Sequence, residues 1–453
     1  MNHLYQHRLN AWQEAFRLHL EKTALVKITG YVVKIHGIVI HCFLPGAGIG
    51  DLCYLQRSDS VIMAEVIGFD ADCVSLAALD TLEGIKTGAE VYTLGHPHCV
   101  RIGQALRGCV LDGFGRSIDG KGADAFADCL TPQAIPVMHN ACAALDRQCI
   151  EEVVHTGISS IDGLLTLGVG QRAGIFAGAG CGKTLLLAEL ARNIHCDTIV
   201  FGLTGERGRE LREFMERELD ERLRQRTVLV CATSDRSSME RVRAAFTATA
   251  IAEGFRQQGD STLLIIDSLT RLARAQREIG LANGEPPGRN GFPPSVYHLL
   301  AQLVERSGRT EKGAITALYS VLIEQDSMHD PVADEVRSLV DGHIILSRKL
   351  ATAGHYPAID ILASLSRVMN NVTGTEQQSI ATNIRQLMTA YNEVEMLIRL
   401  GEYQSGSDPL TDYAVYIKPQ LDEILKQSLR SPRVPEFTMD KLREITENAP
   451  FYL

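Results

Sequence analysis

The chain of 453 residues contains no long hydrophobic run, since no apolar stretch approaches the roughly 20 residues that a membrane-spanning helix needs. Its first 22 residues carry charge throughout, so we expect no secretory signal. An excess of positive charge is also missing, because the formal net charge is −10. A protein that coats nucleic acid usually has a basic face, and we therefore predict no nucleic-acid partner.

Composition excludes two further classes. Hydrophobic residues make up 45% of the chain and charged residues 22%, which is ordinary for a folded protein and excludes a disordered or fibrous one. The 11 cysteines lie between Cys42 and Cys231, their number is odd, and no C-x-x-C pair occurs. We predict free thiols in a reducing compartment. The run His96–Cys99 has metal-ligand residue types but no second ligand cluster, so we do not predict a zinc site.

The N-terminal part of the chain changes character twice. Residues 1–25 have the pattern of an amphipathic helix, with an apolar face formed by Leu4, Leu9, Trp12, Phe16 and Leu20. Such a helix docks on its own protein, or it binds a partner or an anionic membrane surface, and the weak pattern favours the first. Residues 26–97 hold short strands broken by glycine and proline, which is typical of a small β-barrel.

Residues 98–372 have the pattern of an α/β domain. Apolar strands alternate with helical stretches such as Leu185–Asn193 and Glu206–Gln225, which indicates a parallel sheet with helices on both faces. The predicted strands are Ala173–Ala177, Thr198–Leu203, Val228–Ala232, Thr262–Ile266, Ile315–Val321 and Gly342–Leu346. Residues 373–453 turn helical, and the predicted helices are Gln378–Leu400, Ala414–Gln427 and Met439–Asn448.

A glycine-rich segment, Ala177–Thr184, follows the first of these strands and opens a helix. It matches the phosphate-binding pattern G-x-x-x-x-G-K-[ST], except that Ala177 replaces the first glycine. In such a loop, backbone N–H groups surround phosphate oxygens at a helix N-terminus. We expect Lys183 to bridge the β- and γ-phosphates of a nucleotide and Thr184 to ligate Mg²⁺. The other residues expected to contact the nucleotide here are Gly178, Ala179, Gly180, Cys181, Gly182 and Leu185.

Two acidic residues extend this candidate site. Asp267 ends an apolar strand at the sheet edge where ligands bind, and we expect it to hold Mg²⁺ through water. Glu206 follows the strand Thr198–Leu203, where hydrolysis needs a group that polarises the attacking water. Glu206 is equally well placed to begin a charged helix, because residues 206–226 are dense in both charges. Taken alone, the residues leave these two interpretations even.

Five longer motifs of the chain resemble those of a known protein family. They are Gly205–Glu210, Ala232–Arg236, Asp267–Ala275, Asp334–His343 and His355–Asp360. With them the chain resembles the type III secretion ATPases, the export ATPases of injectisomes and flagella, which are relatives of the rotary ATP synthase β subunit. Within that family it is most similar to the injectisome branch of plant-associated bacteria. The resemblance covers about residues 27–427 and implies a RecA-like P-loop ATPase core, preceded by a small β-barrel and followed by an α-helical domain.

The resemblance also implies catalytic roles. Glu206 is similar to the catalytic glutamate of the family, which decides between its two interpretations. Arg207 is expected on the γ-phosphate side, and Glu210 is expected to reach the water shell of the metal. Arg271 is similar to an arginine that supports the catalytic water.

Two further positions match the family outside the phosphate loop. Tyr356 resembles the aromatic residue that packs against adenine, with core packing beside Pro357 as the alternative. Arg367 resembles an arginine finger, whose planar guanidinium completes the active site of a neighbouring subunit. The acidic loop that touches the rotor in ATP synthases has no clear match at residues 401–409.

Together these features predict an ATP hydrolase that uses Mg²⁺ and energises chaperone release, unfolding and export of secreted proteins. The expected partners are copies of the same chain in a homohexamer, with stacking of two rings left open, and the stator, central stalk, export gate and chaperone–effector complexes. The expected location is cytoplasmic, with peripheral association at the cytoplasmic face of the inner membrane. The alternative is the catalytic β-type subunit of a rotary ATP synthase, and a non-hydrolysing regulatory ring subunit also stays open. An RNA-translocating ring would need a basic, aromatic surface, which residues 27–79 lack.

Overall fold

The computed structural model describes residues 29–58, 60–70, 73–120, 123–127, 134–323, 330–406 and 408–451. The helix predicted at residues 1–25 lies outside them. The chain divides into two compact units, one formed by Met1–Arg101 with Phe126–Met138 and the other by Ile102–Ala125 with His139–Leu453. The first unit thus includes a segment from within the region 98–372, which the sequence pattern assigns to the ATPase core.

Six antiparallel strands of the first unit close a barrel. Alternate residues point to its interior, where Val32, Ile40, Leu55, Leu76 and Val91 are at most 1% exposed. The prediction of a small barrel from short strands and glycine breaks is confirmed. Its strands are β1 (Thr29–His36), β2 (Val39–Phe43), β3 (Asp51–Gln56), β4 (Val61–Asp70), β5 (Cys73–Ala78) and β6 (Glu90–Pro97), in the closed order β1-β2-β5-β4-β3-β6.

A small sheet completes the first unit. Its strands are β7 (Cys99–Arg101), β9 (Phe126–Ala127) and β10 (Ala134–Pro136), with β7 in the middle. His98 stacks on Phe126 beside this sheet, with ring centroids 5.6 Å apart. Cys99 takes part in a disulfide, so the prediction of free thiols throughout is wrong at this position. The cysteines that the structure describes as free are Cys42, Cys53, Cys73, Cys109, Cys142, Cys149, Cys181, Cys196 and Cys231.

The second unit is built on one large sheet. Its strands are β8 (Val110–Leu111), β13 (Arg172–Ala177), β14 (Thr198–Glu206), β15 (Thr227–Thr233), β16 (Ser261–Asp267), β17 (Gly308–Arg309), β18 (Ala314–Leu322), β19 (Gly342–Leu346) and β20 (Ile359–Ser366). Across the described residues their order is β20-β19-β13-β18-β16-β14-β15-β8, with β17 paired to β18. All pairs from β19 to β8 in this order are parallel, as the continuous apolar strands predict. A separate pair, β11 (Val153–Val154) and β12 (Leu167–Gly168), precedes the P-loop strand.

Helices cover both faces of this sheet, and one of them corrects a sequence prediction. The predicted helix at Glu206–Gln225 starts later and is broken in two, because Glu206 belongs to β14 and Asp220 caps a second short helix. Sheet pairing with β15 and β16 overrides the charged helical pattern at this point. The helices are Ser159–Leu164, Lys183–Asn193, Gly208–Arg217, Glu221–Arg224, Ser238–Gln257, Leu269–Ala282, Pro294–Val304, Pro331–Leu339, Arg348–Thr352 and Met369–Val372.

Three helices end the chain and confirm the predicted helical domain. They are Thr375–Leu400, Pro409–Leu425 and Pro435–Glu447, and two of them start at a proline, which suits the first helical position. Their apolar faces share one buried core with the P-loop strand and its helix. Within the described part of the chain, no helix combines the length and the apolarity needed to cross a membrane.

Candidate active site

The phosphate loop connects β13 to the helix Lys183–Asn193. Gly180 and Gly182 have φ of 82° and 84°, a left-handed conformation that a side chain would strain. Ala177, the departure from the P-loop pattern, lies in β13 and is fully buried in extended backbone, where a methyl group is tolerated. The loop therefore keeps glycine where its conformation requires it, and the helix begins directly at Lys183.

Lys183 is paired with Asp267 at the centre of the site. Both side chains are nearly buried, 10% and 4% exposed, and the lysine Nζ donates to the aspartate Oδ1. Ser320 of β18 joins them, since its Oγ donates to Asp267 Oδ1 at 2.6 Å and accepts from Lys183 Nζ at 3.3 Å. The two groups that the motif assigns to phosphate and to metal are thus in direct contact with each other.

Glu206 lies at the same edge of the sheet, at the end of β14. Its carboxylate contacts Arg271 Nη1 at 2.5 Å, and the same nitrogen donates to the Gly205 carbonyl at 2.8 Å. Burial raises the pKa of Glu206 to about 7, with further increases from the hydrogen bond to Glu210 and the charge of Asp267, while Arg271 opposes them. A carboxylate with this pKa is suited to accept a proton near neutral pH.

Glu210 and Arg207 lie on the solvent side of Glu206. The hydrogen bond from Glu206 is the main cause that lowers the pKa of Glu210. Arg207 caps the helix Gly208–Arg217 and is 79% exposed, with its guanidinium 3.8 Å from Glu210. The structure thus brings Glu210 to Glu206, whereas Arg207 points into solvent rather than to the phosphate loop.

A cavity of about 310 Å³ joins the metal and hydrolysis groups. Leucine and phenylalanine side chains form its apolar wall, and its polar lining includes Thr184, Glu206, Glu210 and Asp267 beside the charged residues Glu213, Arg217 and Glu218. Hydroxyl and carboxylate oxygens are the ligands that Mg²⁺ prefers, and Mg²⁺ usually takes only one or two carboxylates beside substrate phosphates. In the described residues no cluster of three or more His, Cys, Asp or Glu could hold a metal ion by itself. The donor set fits a Mg²⁺ ion that arrives with a nucleotide.

A second cavity, of about 650 Å³, opens on the other side of the loop. Cys181, Gly182 and Leu185 line it, together with Tyr356. Tyr356 is 42% exposed, and its ring stands so close to the loop that a side-chain carbon at Gly182 would lie 3.4 Å from it. An exposed aromatic face beside a phosphate loop is suited to stack on a base. Core packing, the alternative interpretation of Tyr356, does not fit this exposure.

Comparisons with known proteins agree with this geometry. Residues 32–95 match the β-barrel domain of the ATP synthase alpha/beta family, residues 157–366 its nucleotide-binding domain, and residues 373–444 the T3SS EscN ATPase C-terminal domain. A type 3 secretion system ATPase of Pseudomonas savastanoi pv. phaseolicola is 56% identical over 98% of this chain and 99% of its own length. The chain belongs to the type III secretion system ATPases. The resemblance seen in the sequence motifs is thereby confirmed.

Solved structures of the family share the fold. The assembled ATPase EscN from enteropathogenic E. coli has a TM-score of 0.85 and 43% identity, covering 92% of this chain and all of its own. EscN in complex with its central stalk EscO gives a TM-score of 0.83 and 42% identity with the same coverage. The match to the T3SS C-terminal domain model favours this family over the alternative of a rotary ATP synthase β subunit. The chain is accordingly an ATPase of type III secretion.

Arg367 lies far from the other predicted site residues of this ATPase. Ser366 pairs with Gly342, which pairs with Ala173 near the start of β13, whereas the phosphate loop follows the end of that strand. At about 3.3 Å per residue, Arg367 is roughly 15 Å from the loop along the strand direction. Its side chain is exposed. Arg367 is therefore not placed to reach the phosphate loop of its own chain.

Two residues near the nucleotide cavities escaped the sequence analysis. Ser320 looked like part of an ordinary apolar strand, and its hydroxyl in that strand was the one available signal. Gln427 gave no signal at all, yet its backbone N–H donates to the Tyr356 carbonyl at 2.8 Å. The segment after Gln427 then crosses to the phosphate-loop helix, where Arg430 N donates to Glu189 Oε2 at 3.0 Å.

Proposed function

We propose that this type III secretion ATPase hydrolyses Mg²⁺-ATP to drive chaperone release, unfolding and export of secreted proteins. The observation that carries the proposal is the convergence of Lys183, Asp267 and Glu206 at one edge of the sheet. Each side chain has the chemistry that its position in the family motif requires. The cytoplasmic face of the inner membrane is the proposed location.

Each residue of the site has its own role in the proposed ATP hydrolysis. The loop N–H groups and Lys183 bind the phosphates, and Tyr356 stacks on adenine in the second cavity. Mg²⁺ held near Thr184, Asp267 and Glu210 would neutralise phosphate charge when bound. Glu206 orients and deprotonates the attacking water, while Arg271 fixes the direction of its carboxylate.

A homohexamer completes each site in this proposal. Arg367 of one subunit reaches the γ-phosphate bound by the next. Its exposed position, level with the start of β13 and away from its own phosphate loop, allows this. The strand β20, which directly precedes Arg367, is bonded to the C-terminal helical domain. Arg385 of that domain donates to the carbonyls of Ile361 at 2.7 Å and Ser364 at 3.3 Å. Arg207, which is exposed here, would have to turn inward on assembly to meet the γ-phosphate.

The proposed partners follow from the family. The relative EscN has been solved as an assembled ATPase and in complex with its central stalk EscO. We extend self-assembly and a central-stalk partner to this chain, together with a stator, an export gate and chaperone–effector complexes. The net charge of −10 supports the absence of a nucleic-acid partner from the proposal.

Steady-state ATP hydrolysis by Glu206→Gln tests the catalytic assignment. Because the amide cannot accept the proton, turnover should fall by about 100-fold or more while ATP binding persists. Glu216→Gln is the matched control, since Glu216 lies on the adjoining helix Gly208–Arg217, is 61% exposed and pairs only with Arg212 in the described contacts. Equal turnover in the two variants would show that Glu206 is not the base.

A further inference from the structure

Ser320 is a buried hydroxyl at the centre of the large sheet. It is fully buried in β18, which lies between the P-loop strand β13 and the strand β16 that ends at Asp267. Ser320 pairs in register with Ile175 of β13, and its neighbour Tyr319 pairs with Ile266 of β16. The pairing therefore sets the hydroxyl beside the last residues of both strands, where the phosphate loop begins and where Asp267 stands.

The hydroxyl connects the two charged groups of the site. Ser320 Oγ donates to Asp267 Oδ1 at 2.6 Å and accepts from Lys183 Nζ at 3.3 Å, while Lys183 also donates directly to the same carboxylate oxygen. An O–H···O⁻ hydrogen bond of this length is of the strong, charge-assisted kind. Asp267 Oδ1 thus has two donors, the ammonium of Lys183 and the hydroxyl of Ser320 on β18.

The two donors have different tasks in the proposed site. Lys183 is also needed at the phosphates, and the hydrogen bonds that it makes there compete with its bond to Asp267. A buried carboxylate oxygen left without any donor is costly, and the carboxylate would turn towards whichever cation it can still reach. The Ser320 hydroxyl is attached to the sheet, so its hydrogen bond does not depend on where Lys183 points.

We infer that Ser320 is a positioning residue that keeps the Asp267 carboxylate in its metal-facing orientation while Lys183 moves from Asp267 to the nucleotide phosphates. The inference rests on the proposed function, in which Asp267 serves Mg²⁺ and Lys183 serves phosphate. Ser320 touches neither ligand itself. It acts by leaving one Asp267 oxygen occupied and the other free to face the metal's water shell.

A matched pair of variants, Ser320→Thr and Ser320→Val, tests it. The two side chains have the same shape and both suit a strand, but only threonine keeps the hydroxyl. The readout is binding of Mn²⁺, in place of Mg²⁺, to protein saturated with a non-hydrolysable ATP analogue, measured from free Mn²⁺ by electron paramagnetic resonance. Ser320→Val should weaken Mn²⁺ binding about tenfold, and Ser320→Thr should bind Mn²⁺ like the unaltered protein.

Equal Mn²⁺ affinity in the valine and threonine variants would overturn the inference, whether both are tight or both are weak. Circular dichroism checks that the variants fold. If Ser320→Val does not fold, Ser320→Ala removes the hydroxyl without adding volume, and the same contrast with Ser320→Thr decides. Failure of the proposed function is distinct, because the unaltered protein would then show no Mg²⁺-dependent ATP hydrolysis.

Discussion

Gln427 allows a quantitative prediction about how the helical domain is held on the ATPase core. Its side-chain Nε2 donates to the carbonyls of Gly157 at 2.6 Å and Ser431 at 2.7 Å, and its Oε1 accepts from Ser159 N at 3.1 Å. Gln427→Ala removes all three hydrogen bonds but keeps the backbone bond to Tyr356. At about 0.5–1.5 kcal/mol for each of the three bonds, the free energy of unfolding should fall by about 1.5–4.5 kcal/mol.

Thermal unfolding followed by circular dichroism measures this loss. At an unfolding entropy of about 2.1 cal/mol/K per residue, a loss of this size should lower the midpoint of the second unit by roughly 2–6 °C. Gln420→Ala is the control, because Gln420 is exposed on the neighbouring helix Pro409–Leu425, and it should change the stability by less than about 0.5 kcal/mol. Affinity for a fluorescent ADP analogue should also drop in Gln427→Ala, because the lost side-chain bonds hold in place the backbone that contacts Tyr356. Identical melting curves for the two variants would refute the reasoning.

Two further predictions concern nucleotide binding and the ring. Lys183→Ala should lose tight ATP binding in a filter or fluorescence assay, because it removes the cation facing the phosphates, and retained affinity would contradict that role. Arg367→Ala should bind ATP but hydrolyse it about 1,000-fold more slowly. Mixing it with Glu206→Gln protein should restore part of the turnover in mixed hexamers. Mixed hexamers no more active than either variant would argue against a finger supplied by the neighbour.

The central features of the fold were predictable because their signals are local. The apolar strands Thr198–Leu203 and Thr262–Ile266 need only their own composition to be recognised, and the glycine spacing of Ala177–Thr184 identifies the loop. In the structure these strands are longer than predicted by three residues at most, at Thr198–Glu206 and Ser261–Asp267. The barrel followed from the same kind of signal, namely short strands separated by glycine and proline.

Other features depend on contacts between distant parts of the chain. Glu206 carries a helical charge pattern, and only its pairing with β15 across the sheet shows that it ends a strand. The strands β9 and β10 have two or three residues each, too few for any periodicity. The disulfide of Cys99 was not predictable either, because it depends on the folded chain and not on the spacing of the cysteines.

The candidate site also combines residues that a local motif predicts with contacts that only the folded chain shows. Motifs locate Lys183, Thr184 and Asp267, whereas the contact between Lys183 and Asp267, which are 84 residues apart, exists only in the folded sheet. Ser320 and Gln427 have no motif, because their roles come from the strand order and from the return of the chain over the phosphate-loop helix. The exposed place of Arg207 was not predictable from the motif Gly205–Glu210, which gives the residue type and not the direction of its side chain.

The most direct test of the central claim is secretion by the native cell. The chromosomal gene is replaced by Glu206→Gln or by the control Glu216→Gln, and the export of a type III substrate into the medium is measured at equal levels of ATPase protein. We predict that Glu206→Gln lowers ATP hydrolysis by about 100-fold or more and strongly reduces export, while Glu216→Gln supports both. Export at the level of the unaltered strain from cells whose Glu206→Gln protein cannot hydrolyse ATP would contradict the claim that this site energises secretion.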